Sequence, residues 1–194
     1  MSDQRADVEV VDCTPDRWPD VVAVFEGPGD PGRCWCQWFY RGDRVDRASA
    51  EANREALHAQ VLSGSPGVLG YLDGVPSGWC AVAPRPSYSR LARSRVLAGT
   101  PADELADPAV WSVTCFVVRK EARRRGLSER LLAGAVDLAR RSGAETVEGY
   151  PVDLAGGRAP AAGLYPGPLP VFLRAGFTEV HRGLTGRPVV RLSV

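Results

Sequence analysis

The residues Arg123-Arg-Arg-Gly126-Leu-Ser128 form the cluster in this chain whose types and spacing point most directly to chemistry. Consecutive guanidiniums at Arg123, Arg124 and Arg125 can fork onto phosphate oxygens through parallel N–H donors. Gly126 has no Cβ, so the main chain there can come close to a ligand. A helix starting just after it would turn its first N–H groups and its positive dipole end to the same anion. The chemistry is therefore capture of a phosphate or pyrophosphate, although a solvated basic turn would carry the same residue types. Two common phosphate motifs are absent: there is no Gly-x-x-x-x-Gly-Lys-Ser/Thr and no Gly-x-Gly-x-x-Gly, and the only lysine is Lys120. Arginines and backbone would have to hold the anion.

The flanking sequence supplies the elements that must position this turn. Trp111 to Val118 is an apolar, β-branched run that reads as a buried strand. Leu127, Leu131, Ala135, Leu138 and Ala139 fall on one stripe of a helix reaching Arg141. The order is strand, anion-binding turn, helix.

In that order, Val118 followed by Arg123-x-x-Gly126-x-Ser128 resembles the acyl-CoA signature of the GCN5-related N-acetyltransferases (GNAT). That family carries Arg/Gln-x-x-Gly-x-Gly/Ala after a strand, and Ala175-Gly176-Phe177 follows here in family order. Ser128 departs from the usual Gly or Ala but stays small. The resemblance spans roughly residues 7 to 194 and is sharpest from about 110 to 180. It implies an α+β fold with a mixed, mostly antiparallel twisted sheet of about seven strands and helices on both faces, built as one acyltransferase domain over 1–194. It also implies that backbone groups of Phe116, Val117 and Val118 hold the pantetheine and thioester of acetyl-CoA. The pyrophosphate would then lie on Arg123, Arg124, Arg125, Gly126, Leu127 and Ser128. Asp153 falls near a position where many members carry a pantetheine-contacting Asn.

The implied activity is acetyl transfer from acetyl-CoA to a primary amine of a small molecule or peptide by direct attack, with no metal. Such transfer needs a donor for the developing oxyanion, a route for the amine proton and, optionally, an acid for the departing thiolate. Many members carry Tyr four residues before the Gly of the Gly-Phe ending, but this chain has Phe172 there. Tyr165, seven residues earlier, is the candidate acid, and Glu148, on the strand expected at Glu145 to Pro151, is the candidate base. Both also read as ordinary structural residues. The missing Tyr leaves a non-catalytic acyl-CoA-binding module as an alternative, and the apolar run at Cys34–Tyr40 leaves a longer acyl donor as another.

Outside this region the chain reads as follows. Val8 to Val11 suggest a first strand. Pro15 to Phe25 suggest a helix with Trp18, Val21, Val22 and Phe25 on one face, broken by Gly27-Pro-Gly-Asp-Pro-Gly32. Cys34-Trp-Cys-Gln-Trp-Phe-Tyr40 is the densest aromatic run and reads either as an apolar plug or as a wall of the acceptor pocket. Cys-x-Cys lacks a second pair, and the only histidines are His58 and His181, so zinc is disfavoured. Arg44 to Leu62 reads as a helix with Ala48, Ala52, Ala56, Leu57 and Val61 inward. Strands at Gly67–Leu72 and Ser77–Ala83 flank the Asp73-Gly74 hairpin signal. Residues 84 to 97 suggest a loop and short helix whose Arg85, Arg90, Arg93 and Arg95 read as a solvated face or as cations for an anionic substrate. Cys115 reads as a buried apolar residue, His181 as structural, and Val189 to Val194 as the last strand.

The chain has 194 residues, 44% hydrophobic, and a net charge of +1, so no overall field draws it to nucleic acid or membrane. The odd number of cysteines (Cys13, Cys34, Cys36, Cys80, Cys115) suits a reduced, cytoplasmic protein. The polar N-terminus suggests no signal peptide, and no apolar run approaches the ~20 residues of a membrane span. A homodimer is compatible with all of this.

Overall fold

The computed structural model describes residues 7–26, 29, 31–41, 48–154, 161–182 and 186–194. Seven strands form one sheet: β1 (Val8–Asp12), β2 (Gly67–Leu72), β3 (Val75–Pro84), β4 (Val110–Val118), β5 (Thr146–Gly149), β6 (Thr178–Arg182) and β7 (Pro188–Ser193). Their spatial order is β1-β2-β3-β4-β5-β7-β6. Every pairing is antiparallel except β4 with β5. A parallel pair needs a long crossover, and helix α5 (Leu127–Arg141) supplies it. The expected mostly antiparallel α+β sheet is what the chain forms.

Side chains alternate across a strand, and the two resulting faces carry different cores. Val68, Cys80, Val113 and Phe116 pack with Leu127, Leu131 and Leu132 of α5 on one face. Their neighbours Leu69, Trp79, Ala81 and Val117 pack on the other face with Val21 and Phe25 of α1 (Trp18–Phe25) and with Leu57 and Val61, which lie on a later helix. Helix α5 sits low on the sheet because Gly70 and Gly78 face each other across β2 and β3. A Cβ on Gly70 would come within 2.9 Å of a Leu127 methyl, and one on Gly78 within 2.8 Å of a Leu131 methyl.

Several boundaries shift from the sequence reading. A 3-10 turn occupies Pro15–Arg17 before α1. A short helix, α2, covers Pro31–Cys34 inside the stretch expected to be broken. The second long helix, α3, spans Ala50–Ser63, because Ser49 Oγ caps it by accepting from Ala52 N at 3.1 Å. It buries Asn53, Leu57 and Val61, while Ala48, Ala52 and Ala56 are only half-buried. The expected helix start at 44 to 47, part of the Gly/Pro breaker and residues 155 to 160 lie outside the described residues. A further short helix, α4, covers Ala102–Leu105, and α6 covers Leu169–Arg174. No helix among the described residues is long and apolar enough to cross a membrane.

The 84–97 segment corrects one expectation. Arg85, read as part of a solvated or substrate-facing set, is buried, while Tyr88, Leu91 and Leu97 anchor the segment in a third apolar cluster with Tyr150 and Val189. Register explains its partner. Ser112 of β4, Glu148 of β5 and Arg191 of β7 stand side by side across the sheet. Arg85 Nη1 donates to both Glu148 oxygens at 3.2 Å, and Arg191 Nε donates to Oε2 at 2.7 Å. Tyr150 Oη donates to Oε1 and shares a 2.8 Å hydrogen bond with Ser112. Glu104 meets Arg85 through its carbonyl and Arg191 through its carboxylate.

Removing one member of a fully buried ion pair strands the other, at a cost of about 3–5 kcal/mol. Arg85 and Glu148 side chains are 1% and 0% exposed. Arg85→Ala and Glu148→Ala are therefore each expected to lower the urea midpoint by an amount worth about 3–5 kcal/mol, and Glu148→Gln by less, since an amide keeps an acceptor. Midpoints equal to wild type would contradict this.

Candidate active site

The basic turn begins where β4 ends. Arg119 N donates to Ser77 O at 2.9 Å, tying the strand end to β3. A 3-10 turn follows at Lys120–Ala122, with Ala122 buried. Arg124 and Gly126 then adopt left-handed backbone, with φ of 62° and 76°. For Arg124 that conformation is strained. At Gly126 a Cβ would meet nothing within 4 Å, so the glycine is needed for its φ and leaves open space in front of the chain. Among the described residues, none of the backbone N–H groups from Arg124 to Ser128 donates to a backbone oxygen; Glu129 N and Arg130 N donate to Gly126 O. Such a row of unpaired donors at the start of a 15-residue helix is suited to an anion. Arg123 Nε donates to Val118 O at 3.3 Å, which holds that guanidinium beside the strand end.

Behind the turn, β4 leaves its neighbour. Its parallel pairing with β5 stops at Val113↔Gly149, although β4 runs on to Val118. Arg119 N faces β3, whereas Phe116 N points the other way and donates to Tyr165 O at 2.6 Å. By strand alternation the N–H of Val118 points away from β3 as well. This edge opens on a cleft of ≈ 1280 Å³. Phe116, Val117, Val118, Arg123, Arg124, Gly126, Leu127 and Ser128 all line it, and Arg125 alone of the expected donor-site residues does not.

Another wall is the aromatic run, whose residues divide between a plug and the cleft lining. Trp35 is a plug: it stacks on Phe25 at 5.0 Å, and its Nε1 donates to Gly32 O at 2.8 Å. Cys34, Cys36, Trp38 and Phe39 line the cleft. Left-handed backbone at Trp35 (φ 47°) and Cys36 (φ 55°) makes the sharp turn between these roles. Gln37, fully buried, exchanges hydrogen bonds with Gln60 of α3. Cys115 is half-buried and lines the cleft with Cys34 and Cys36, contrary to its reading as a buried apolar residue. Burial pushes the Cys34 and Cys36 thiols up, and the neighbouring Cys115 thiol adds to this. Thiols so raised stay protonated, giving a neutral wall with no activated nucleophile. Among the described residues no group of three or more His, Cys, Asp or Glu is placed to hold a metal ion.

The structure separates the two catalytic candidates. Glu148 is fully buried in its arginine box and lines no part of the cleft. Tyr165 is half-buried and lines the cleft beside Phe116. Burial pushes its phenol up, while a hydrogen bond and charge from Arg187 pull the other way. Arg187 was not singled out in the sequence, where nothing in its local surroundings marks it. Phe172, in the position where Tyr is common, is fully buried with Phe116 and Phe177 edge-on at 6.0 and 5.2 Å. It also covers Gly149, where a Cβ would come within 2.3 Å of its ring. Asp153 accepts from Arg182 Nη1 at 2.8 Å and lies outside the cleft lining, and His181 is exposed on β6.

The acetyltransferase (GNAT) family profile matches residues 30–165, a span that takes in the cleft wall, the turn and Tyr165. The chain belongs to the GNAT acetyltransferase family. No curated protein sequence matches it significantly. Solved GNAT-fold structures resemble it at low identity, which speaks to the fold. The Salmonella typhimurium protein yncA, solved with acetyl-CoA, is 14% identical with a TM-score of 0.55, covering 96% of this chain and 93% of its own. The paia N-acetyltransferase of Thermoplasma acidophilum, in complex with coenzyme A, is 10% identical with a TM-score of 0.54, covering 97% and 99%. A GNAT acetyltransferase from Streptococcus pneumoniae is 15% identical with a TM-score of 0.54, covering 97% and 100%.

If the turn is an anion site, inorganic pyrophosphate is expected to shift the amide resonances of residues 124 to 128 selectively. Gly126→Val should remove those shifts, because its side chain disfavours φ of 76°. Shifts scattered evenly over the surface arginines would contradict this.

Proposed function

We propose that the cleft binds acetyl-CoA and that the protein transfers the acetyl group to a primary amine of a small molecule or peptide by direct attack. The observation that carries this reading is the continuity of the unpaired N–H row at 124–128 with the open edge of β4 in one cleft. A bound acetyl-CoA would supply an activated acyl thioester. The N–H groups of Arg124 to Ser128 and the Arg123 and Arg124 guanidiniums fit its pyrophosphate. The Phe116–Val118 edge fits the amides of its pantetheine arm. Cys34, Cys36, Trp38 and Phe39 line the same cleft and offer an apolar surface to the acyl end.

Proton handling follows from which ionisable groups reach the cleft. Among the described lining residues Glu129 is the only carboxylate; it lies at the turn and accepts from Arg174 Nε at 2.9 Å. We assign the amine proton to water in the open cleft, and Glu148 to the architecture of β5. To Tyr165 we assign the transfer of a proton to the departing thiolate. Its raised pKa keeps the hydroxyl protonated at neutral pH and beyond the range of an ordinary tyrosine, and Arg187 stabilises the phenolate once the proton has left. Burial of Phe172, which removes the usual hydroxyl, favours a second reading in which the protein binds acyl-CoA without turnover.

Release of free CoA thiol from acetyl-CoA, measured over a panel of primary amines, tests the reading. Steady turnover with at least one amine is expected, and none with any amine would leave only the binding role. Tyr165→Phe is expected to lower kcat by about 10²-fold, at the low end for general-acid catalysis, with little change in KM for acetyl-CoA. Glu148→Gln, if folded, is expected to keep kcat within about threefold of wild type, below the ~10² loss expected for a general base. A larger loss at intact fold would restore Glu148 as the base.

A further inference from the structure

Three of the five cysteines, Cys34, Cys36 and Cys115, line the cleft, and all five are free thiols. Two separate elements bring them together. Cys115 stands on β4 next to Phe116; side chains alternate along a strand, so it faces the α1 side of the sheet while Phe116 faces α5. Cys34 ends helix α2, and the left-handed turn at Trp35 and Cys36 carries Cys36 onto that same side. Cys36 belongs to the apolar cluster of Trp35, Trp79 and Val117, and Cys115 packs against it. The Cys36 and Cys115 thiols share a side-chain hydrogen bond.

The two thiols of this contact differ in access. Cys36 is 6% exposed, whereas Cys115 is half-buried and open to the cleft. A small oxidant entering the cleft therefore meets Cys115 first, and Cys36 is the second sulfur beside it. The Trp79 indole N–H, buried and otherwise unpartnered, bears on Cys36 and favours its charged form, against the burial that keeps it protonated. A buried thiol by itself is inert. A cleft-facing thiol with a second thiol in contact is the arrangement that captures a sulfenic acid as a disulfide.

From this we infer that Cys115 and Cys36 are a modification site for peroxides, joining in a reversible disulfide inside the cleft. The Cys115 sulfur attacks hydrogen peroxide; the O–O bond breaks, one oxygen stays as a sulfenic acid and the other leaves as water. The Cys36 sulfur then attacks the Cys115 sulfur. The S–S bond forms, the S–O bond breaks, and hydroxide leaves with the Cys36 proton as a second water. Two thiols are oxidised and one peroxide is reduced. A disulfide holds its sulfurs about 2.0 Å apart, which draws the Cys36 turn onto β4 beside Phe116. The cleft narrows there, where the pantetheine arm would run. That consequence rests on the acetyl-CoA reading of the cleft; the bridge itself does not.

Peroxide treatment of the whole protein, followed by thiol alkylation and non-reducing peptide mapping, tests this. Tryptophan fluorescence and acetyl-CoA affinity are measured on the same samples. A single Cys36–Cys115 linked peptide is expected, with quenched emission from the adjacent Trp35 and Trp79 and acetyl-CoA bound about tenfold or more weakly. Dithiothreitol should reverse all three changes. Cys115→Ser should form no bridge and bind acetyl-CoA as tightly after peroxide as before it. Cys115 recovered as a thiol or an unbridged oxide, or linked to Cys34 or Cys80, would overturn the inference. A Cys36–Cys115 bridge that leaves acetyl-CoA affinity unchanged would overturn the narrowing of the cleft. Failure of the untreated protein to bind acetyl-CoA would count against the proposed function instead, since the mapped bridge is read without it.

Discussion

A strand edge inside a protein must satisfy its N–H and C=O groups somewhere, and β4 has such an edge beyond Val113. Its parallel partner β5 stops at Gly149, five residues short of the β4 end at Val118. The sheet cannot close there, because Phe172 packs against Gly149 and the Tyr165 loop reaches in to accept from Phe116 N. Everything at the candidate site depends on this separation. It creates the cleft, exposes main-chain groups along one wall, and places the basic turn at the end of the same strand.

Near this opening, charge is balanced under β5. There, Glu148 and Glu104 oppose Arg85 and Arg191; Arg85 and Glu148 are buried as a pair, while Arg191 and Glu104 are partly exposed. This arrangement holds Glu148 at the end of β5 and outside the cleft lining. Tyr165 lines the cleft, with Arg187 at its hydroxyl.

The turn was legible in the sequence because its signal is local. A β-branched run, an Arg-Arg-Arg-Gly segment and an amphipathic helix determine one another within about thirty residues, the span of a strand–crossover unit. The aromatic run could be found but not interpreted, since the division between plug and wall follows from left-handed backbone at Trp35 and Cys36, which no residue preference announces. The surroundings of Glu148 could not be read for the opposite reason. Its partners Arg85 and Arg191 lie 63 and 43 positions away, and a boxed carboxylate has the same letter as an exposed one. Arg85 in turn could not be told from its neighbours Arg90, Arg93 and Arg95, although only it is buried. Pairings made by sheet register are invisible until the register is known.

The central claim is that the turn and the open β4 edge form one continuous binding surface. A crystal structure of the complex with acetyl-CoA tests it most directly. The account predicts the pyrophosphate on the N–H groups of Arg124 to Ser128, the pantetheine arm along Phe116 to Val118, and the thioester within reach of the Tyr165 hydroxyl. A pyrophosphate bound among Arg90, Arg93 and Arg95, with the β4 edge uncontacted, would contradict it.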